Sequence, residues 1–349
     1  MPRIFFTSIY FFLLLILTGC SGDAPPAREV LTVTKHDNNP VPTKCRLLFK
    51  IPVEHFFTDK KIVSDFKDNA ENSDGFLLNV IYAPKSLVVK KGLIYIADQA
   101  SGTIKLFSLK GEFQREIRIP RKYGPPGYFN VLDNGNIIFC NESTMKIYET
   151  DEHGNNLLAD DCIPASTSLL PTDSDNYAYL KENNKLFSKK GLLTDKIDWN
   201  GNNNISYLLT DSSIAINYSC KTLELFRHDG SSIRKGELRP GNNRKDLSCF
   251  GLIGRKKDQL LVLYFNSTDP ACFSALAAVN AKSLEQESIV YMEKPGEIEP
   301  RSIIWPDRGM KWPGGMVYYY CKEDGNLYGL CSDPTAIYVF YWPVSGESK

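Results

Sequence analysis

The sequence predicts an all-β chain folded as a six-bladed β-propeller whose last blade is closed by a strand from the N-terminus. Three observations predict it: a four-strand unit clearest near residue 100, its return down the chain at a spacing of about 40 residues, and a strand without a partner at each end. Each element follows from residue type. In "KSLVVKKGLIYIADQASGTIKLFSLKGEFQREI" (85–117), Leu93 to Asp98 and Thr103 to Leu109 are rich in Ile, Tyr, Leu and Phe, and "QASG" between them supplies turn residues, which makes a hairpin. Lys110-Gly111 turns into a third strand, and "SLVVK" before Gly92 makes a fourth.

The strand, turn, strand, Gly turn, strand order returns at 136–161, 177–198 and 213–238, and at 259–292 with a longer interior turn. A sixth unit begins at 326–344 but ends before its outermost strand. "CRLLFKIPV" (45–53) precedes the first complete unit and has no other partner, so it is expected to supply the missing strand and leave no long exposed edge.

The first twenty residues, "MPRIFFTSIYFFLLLILTGC", carry Arg3 in a short basic start and an apolar run from Ile4 to Leu17, too short to span a bilayer comfortably. The following "LTGC" resembles a bacterial lipobox. The resemblance implies a signal peptide over residues 1–19, cleavage before Cys20, and a lipid anchor (palmitate among its acyl chains) on Cys20. It also implies a place in the bacterial cell envelope, and Ser21, where Asp would mark inner-membrane retention, favours the outer membrane. Residues 20–44 hold four prolines and little apolar patterning, which reads as a tether reaching roughly 25–30 Å from the bilayer. Residues 45–349 are then one propeller domain.

"GLIYIADQASGTIKLFSLKG" resembles an NHL-type repeat through Gly92, Ile94, Tyr95, Ala97, Asp98, Ile104, Phe107 and Gly111, and "YGPPGYF" (123–129) resembles the linker that precedes such blades. The likeness is clear over residues 86–150 and fades afterwards, where the Ala-Asp is missing. It implies the propeller fold and recognition of proteins, peptides or glycans. Fold likeness by itself assigns no activity.

With 41 basic and 41 acidic residues there is no long-range field of the kind nucleic-acid binding needs. No Gly-x-Ser-x-Gly elbow, Walker A loop or Cys/His zinc spacing occurs, and His153 and His228 fall in equivalent third-to-fourth-strand turns, poorly placed for catalysis. With strands a to d running outward, the b-to-c turns and d-to-a connections share one face. On it fall the loops 121–128, 239–250 and 301–315. Their candidate ligand-binding residues are Tyr123, Arg244, Trp305, Arg308 and Trp312, since aromatic faces beside Arg suit sugars, anionic polymers or peptide carboxylates. The bland alternative is that these residues seal blade junctions.

Repeat-equivalent places pair Cys140 with Cys162 and Cys220 with Cys249 as candidate disulfides, the alternative being buried free thiols. The expected partners are membrane lipid through Cys20 and an envelope protein or glycan, with no cofactor. The alternative function is a metal-dependent hydrolase or lactonase, in which Glu142, Asp173, Asp211 and Asp269 would hold calcium on the axis.

Overall fold

A strand buried on one face alternates apolar and polar residues, whereas a strand pressed between two layers is apolar throughout. The middle strands of the best-described blades are of the second kind, while the outermost strands are largely exposed. The computed structural model describes residues 43–60, 62–63, 84, 86–124, 126–141, 146–161, 178–181, 185–188, 191–195, 203–208, 214–218, 222–227, 229–238, 247–266, 273–293, 303–304, 311–312, 317–332 and 335–344.

The chain enters through β1 (Arg46–Pro52) and a one-turn helix, α1 (Val53–Phe56). Blade I is β2 (Leu87–Lys90), β3 (Leu93–Asp98), β4 (Thr103–Ser108) and β5 (Phe113–Arg118). Blade II is β6 (Tyr128–Val131), β7 (Ile137–Asn141), β8 (Lys146–Thr150) and β9 (Asn156–Asp161). Blade III shows β10 (Ala178–Lys181), β11 (Lys185–Ser188) and β12 (Gly191–Thr194). Blade IV holds β13 (Asn203–Leu208), β14 (Ile214–Tyr218), β15 (Thr222–Phe226) and β16 (Ser232–Glu237), and blade V holds β17 (Leu247–Lys256), β18 (Gln259–Asn266), β19 (Phe273–Asn280) and β20 (Gln286–Glu293). A two-residue ribbon, β21 (Ile303–Ile304) with β22 (Lys311–Trp312), precedes blade VI. Blade VI is β23 (Val317–Tyr320), β24 (Leu327–Ser332) and β25 (Ala336–Trp342), with β1 as its fourth strand.

The expected closure is therefore observed. β1 pairs antiparallel with β25 from Arg46 opposite Tyr341 to Pro52 opposite Ala336, with a bulge at Leu48. Inner strands of neighbouring blades lie side by side: β2 beside β6 and β23, and β17 beside β13 and β23. The expected tether is tied down at its end, because Thr43 N–H donates to Tyr291 O (2.7 Å) and Glu293 N–H to Thr43 O (2.9 Å).

Alternate residues of one strand serve two different inter-blade cores. Ile94 and Ile96 of β3 pack with Phe49, Ile51, Ile337 and Val339 between blades VI and I, while Tyr95 and Ala97 pack with Val88, Ile104, Ile137 and Phe139 between blades I and II. β25 divides the same way, Ile337 and Val339 toward blade I and Phe340 and Trp342 toward blade V. Each fully buried side chain of this size stabilises by about 1.5–3 kcal/mol. That double use explains the unbroken apolar runs in the sequence.

The closing glycines have one geometry. Ser108, Asp151 and Arg227 each donate N–H to the carbonyl four residues on, and Gly111, Gly154 and Gly230 donate back to them with φ of 84°, 83° and 82°. Two of these turns also stack on the preceding blade. A Cβ at Gly154 would lie 2.2 Å from Arg118 O of β5, and one at Gly111 would lie 2.6 Å from Phe49 Cγ of β1. β1 thus offers blade I the surface that β5 offers blade II.

Candidate functional site

Because β1 is the outermost strand of blade VI, the chain that leaves it is the connection from blade VI to blade I, on the face shared with the b-to-c turns. Three pieces of chain meet there: the stretch after α1 from Phe57 to Ile62, the b-to-c turn of blade I from Asp98 to Gly102, and the connection to blade II from Ile119 to Gly124. They surround a cleft of about 560 Å³, within the roughly 300–1,000 Å³ usual for ligand pockets.

The base of the cleft is charged yet buried. Asp98 is fully buried at the end of β3, where its Oδ1 accepts the Ser101 N–H (3.1 Å) and its Oδ2 pairs with Lys105 Nζ (2.7 Å). Asp98 stands opposite Thr103 and Ile96 opposite Lys105, so the pair is diagonal on one face of the sheet. Lys105 Nζ also donates to Phe56 O and lies 4.6 Å from the Phe56 ring centroid. A buried ammonium held by a carboxylate, a carbonyl and a ring face has replaced the water it lost. Its consequence is mechanical: blade I grips α1. The third piece is tied by Ile119 N–H donating to Gly102 O (3.0 Å).

Blade II ends its second strand with Asn141, also buried, whose Nδ2 donates to Tyr123 O. Gly124 follows with φ of 71°, and a Cβ there would lie 1.7 Å from Asn141 Nδ2. Only glycine fits. A neutral amide here does for one connection what Lys105 does for the other.

Phe57, Ile62, Ala100 and Ile119 give the cleft apolar walls. Around them the side chains of Thr58, Gln99 and Arg121 have neither hydrogen-bond nor ion-pair partners among the described residues. Arg121 is exposed and brings a positive charge to the cleft.

Of the residues expected to bind ligand, Tyr123 closes a single 3-10 turn, Arg121–Tyr123, with its ring 4.8 Å from that of Tyr148 and Lys122 Nζ 4.8 Å from its centroid. Trp312 lies in β22 opposite Ile303, while Arg244, Trp305 and Arg308 lie outside the described residues. Cys140 stands opposite Tyr128 in β7 and Cys249 opposite Tyr264 in β17; Cys162, Cys220 and Cys20 lie outside the described residues. Cys45, Cys321 and Cys331 are free thiols, and burial pushes Cys45 up to about 12 and Cys321 to about 11. Neutral thiols are poor nucleophiles. His153 is exposed in its turn, as expected. Glu142, Asp173, Asp211 and Asp269 lie outside the described residues, among which no group of three or more His, Cys, Asp or Glu gathers as metal ligands would. No helix among them is long and apolar enough to cross a membrane.

The sequence reading placed 121–128 on this face but missed 57–62. The signal was present, since a closing strand at 45–53 makes the next residues a d-to-a connection. Lys105 was a second signal, one charge inside an apolar strand.

No protein-family model and no curated protein matches the chain. Among solved structures it is similar to a streptogramin B lyase at 10% identity over 74% of this chain and 92% of that one, TM-score 0.45. It is similar to a DUF4221-family member from Bacteroides vulgatus at 10% identity over 74% and 92%, TM-score 0.41, and to YCF48 bound to D1 peptide at 12% identity over 77% and 80%, TM-score 0.42. The propeller is read from the chain's own strand order, and the likeness extends to nothing finer than the fold.

Proposed function

We propose that the chain is a lipid-anchored propeller of the bacterial envelope, held by Cys20, that recognises a protein, peptide or glycan partner. The observation that carries this reading is the cleft beside blade I, where Thr58, Gln99 and Arg121 have no side-chain partner among the described residues and stand around apolar walls. Rigid sheets holding a few polar groups around an apolar concavity are suited to binding. The Asp98 carboxylate at the base of the cleft is already engaged through both oxygens, which leaves it a structural rather than a reacting group.

The test is a photo-crosslinking amino acid at Gln99 in living cells, with Lys110 in a third-to-fourth-strand turn as the control. The expected result is an envelope adduct from position 99, lost in an Arg121→Glu background, with Cys20→Ala releasing the protein from membranes. Adducts from position 110 alone, or membrane retention unchanged by Cys20→Ala, would contradict the reading.

A further inference from the structure

We infer that the cleft takes a peptide, and specifically an aliphatic side chain next to a carboxylate. This rests on the recognition reading above and narrows its partner. The apolar walls leave Ile62 and Ala100 partly exposed, a surface suited to Leu, Ile or Val. Of the two acidic side chains that line the cleft, Asp98 is buried and held by Lys105 and Ser101, while Asp59 is exposed. Arg121 is the exposed cation of the cleft, and a guanidinium presents a fork that carboxylates fill with two hydrogen bonds. The Gln99 amide offers one donor set and one acceptor, which matches a peptide main chain.

A sugar would want an aromatic face to stack on. Among the described residues the one aromatic side chain lining the cleft, Phe57, is 2% exposed, and the nearby Tyr123 ring is occupied by Tyr148 and Lys122. The chemistry therefore favours peptide over glycan.

Full-length protein in detergent would be panned against phage-displayed random heptapeptides. The most enriched peptide, synthesised with a fluorophore, would be titrated by anisotropy against the parent, Arg121→Glu, Ala100→Trp and, away from the cleft, Lys110→Glu. Enriched sequences should place Leu, Ile or Val beside Asp or Glu. Binding should weaken tenfold or more in Arg121→Glu and Ala100→Trp and stay at the parent value in Lys110→Glu, each at the parent's melting temperature. If Ala100→Trp melts early, Arg121→Glu decides, because its side chain is exposed. Peptides without that pairing, peptides indifferent to Arg121→Glu, or no enrichment would overturn the inference. Binding of tetragalacturonate that Arg121→Glu abolishes would overturn it too while leaving the recognition reading standing. Silence from both probes, together with no adduct from position 99 in cells, would remove both.

Discussion

Blades I and II hold their incoming connections at the same place by different chemistry. In blade I the second strand ends in Asp98, whose carboxylate fixes Lys105 so that the ammonium reaches Phe56 O. In blade II it ends in Asn141, which reaches Tyr123 O directly. The difference lies in what is left behind when one partner goes. Removing the amide leaves a carbonyl wanting a donor; removing the ammonium leaves a buried anion.

Lys105→Ala should therefore have the largest effect, about 3–5 kcal/mol of stability, read by urea denaturation. The double change Asp98→Asn, Lys105→Met should recover most of it, since replacing a buried pair by neutral groups of similar volume is close to neutral. A double variant as unstable as Lys105→Ala would show that packing, not the stranded charge, is what was lost. Asn141→Ala should cost less, about 1–3 kcal/mol, the penalty of one unsatisfied buried group plus the lost bond.

Blade VI extends the comparison to groups with no counter-charge. Burial pushes the Tyr318 and Tyr320 phenols up to about 12, with Cys45 at about 12 and Cys321 at about 11, against 10.0 for an ordinary tyrosine and 9.0 for an ordinary cysteine. Folded values above unfolded ones mean that the stabilisation is complete below about pH 9 and lost as pH rises through 11 to 12. The melting temperature should fall across that alkaline window, with blade VI losing protection first. A flat profile to pH 12 would contradict this. The smallest effect belongs to Arg115→Ala, which removes an exposed 2.9 Å pair with Glu152 across the rim of blades I and II. It should cost at most about 1 kcal/mol, and the difference should vanish in high salt.

Much of the fold was legible because its signals are local. Hydrophobic runs, turn glycines and the spacing of units marked the strands of blade I, and the orphan at 45–53 marked the closure. The site was less legible because its groups come from residues far apart in the chain. Nothing near Lys105 in sequence says that its partner carbonyl is Phe56, and nothing near Asn141 says that its amide holds Tyr123. Asn141 also heads an Asn-x-Ser sequon, yet its side chain is buried and already bonded. The β21–β22 ribbon was missed because two residues per strand carry no periodicity.

The central claim is that these two buried polar groups each hold one wall of the cleft. Hydrogen exchange read by mass spectrometry on the parent, Lys105→Ala and Asn141→Ala proteins, under conditions where all three remain folded, tests it directly. Lys105→Ala should speed exchange in residues 53–60 while leaving 119–124 as in the parent, and Asn141→Ala should do the reverse. Equal loosening of both segments by either change, or of neither, would contradict the account.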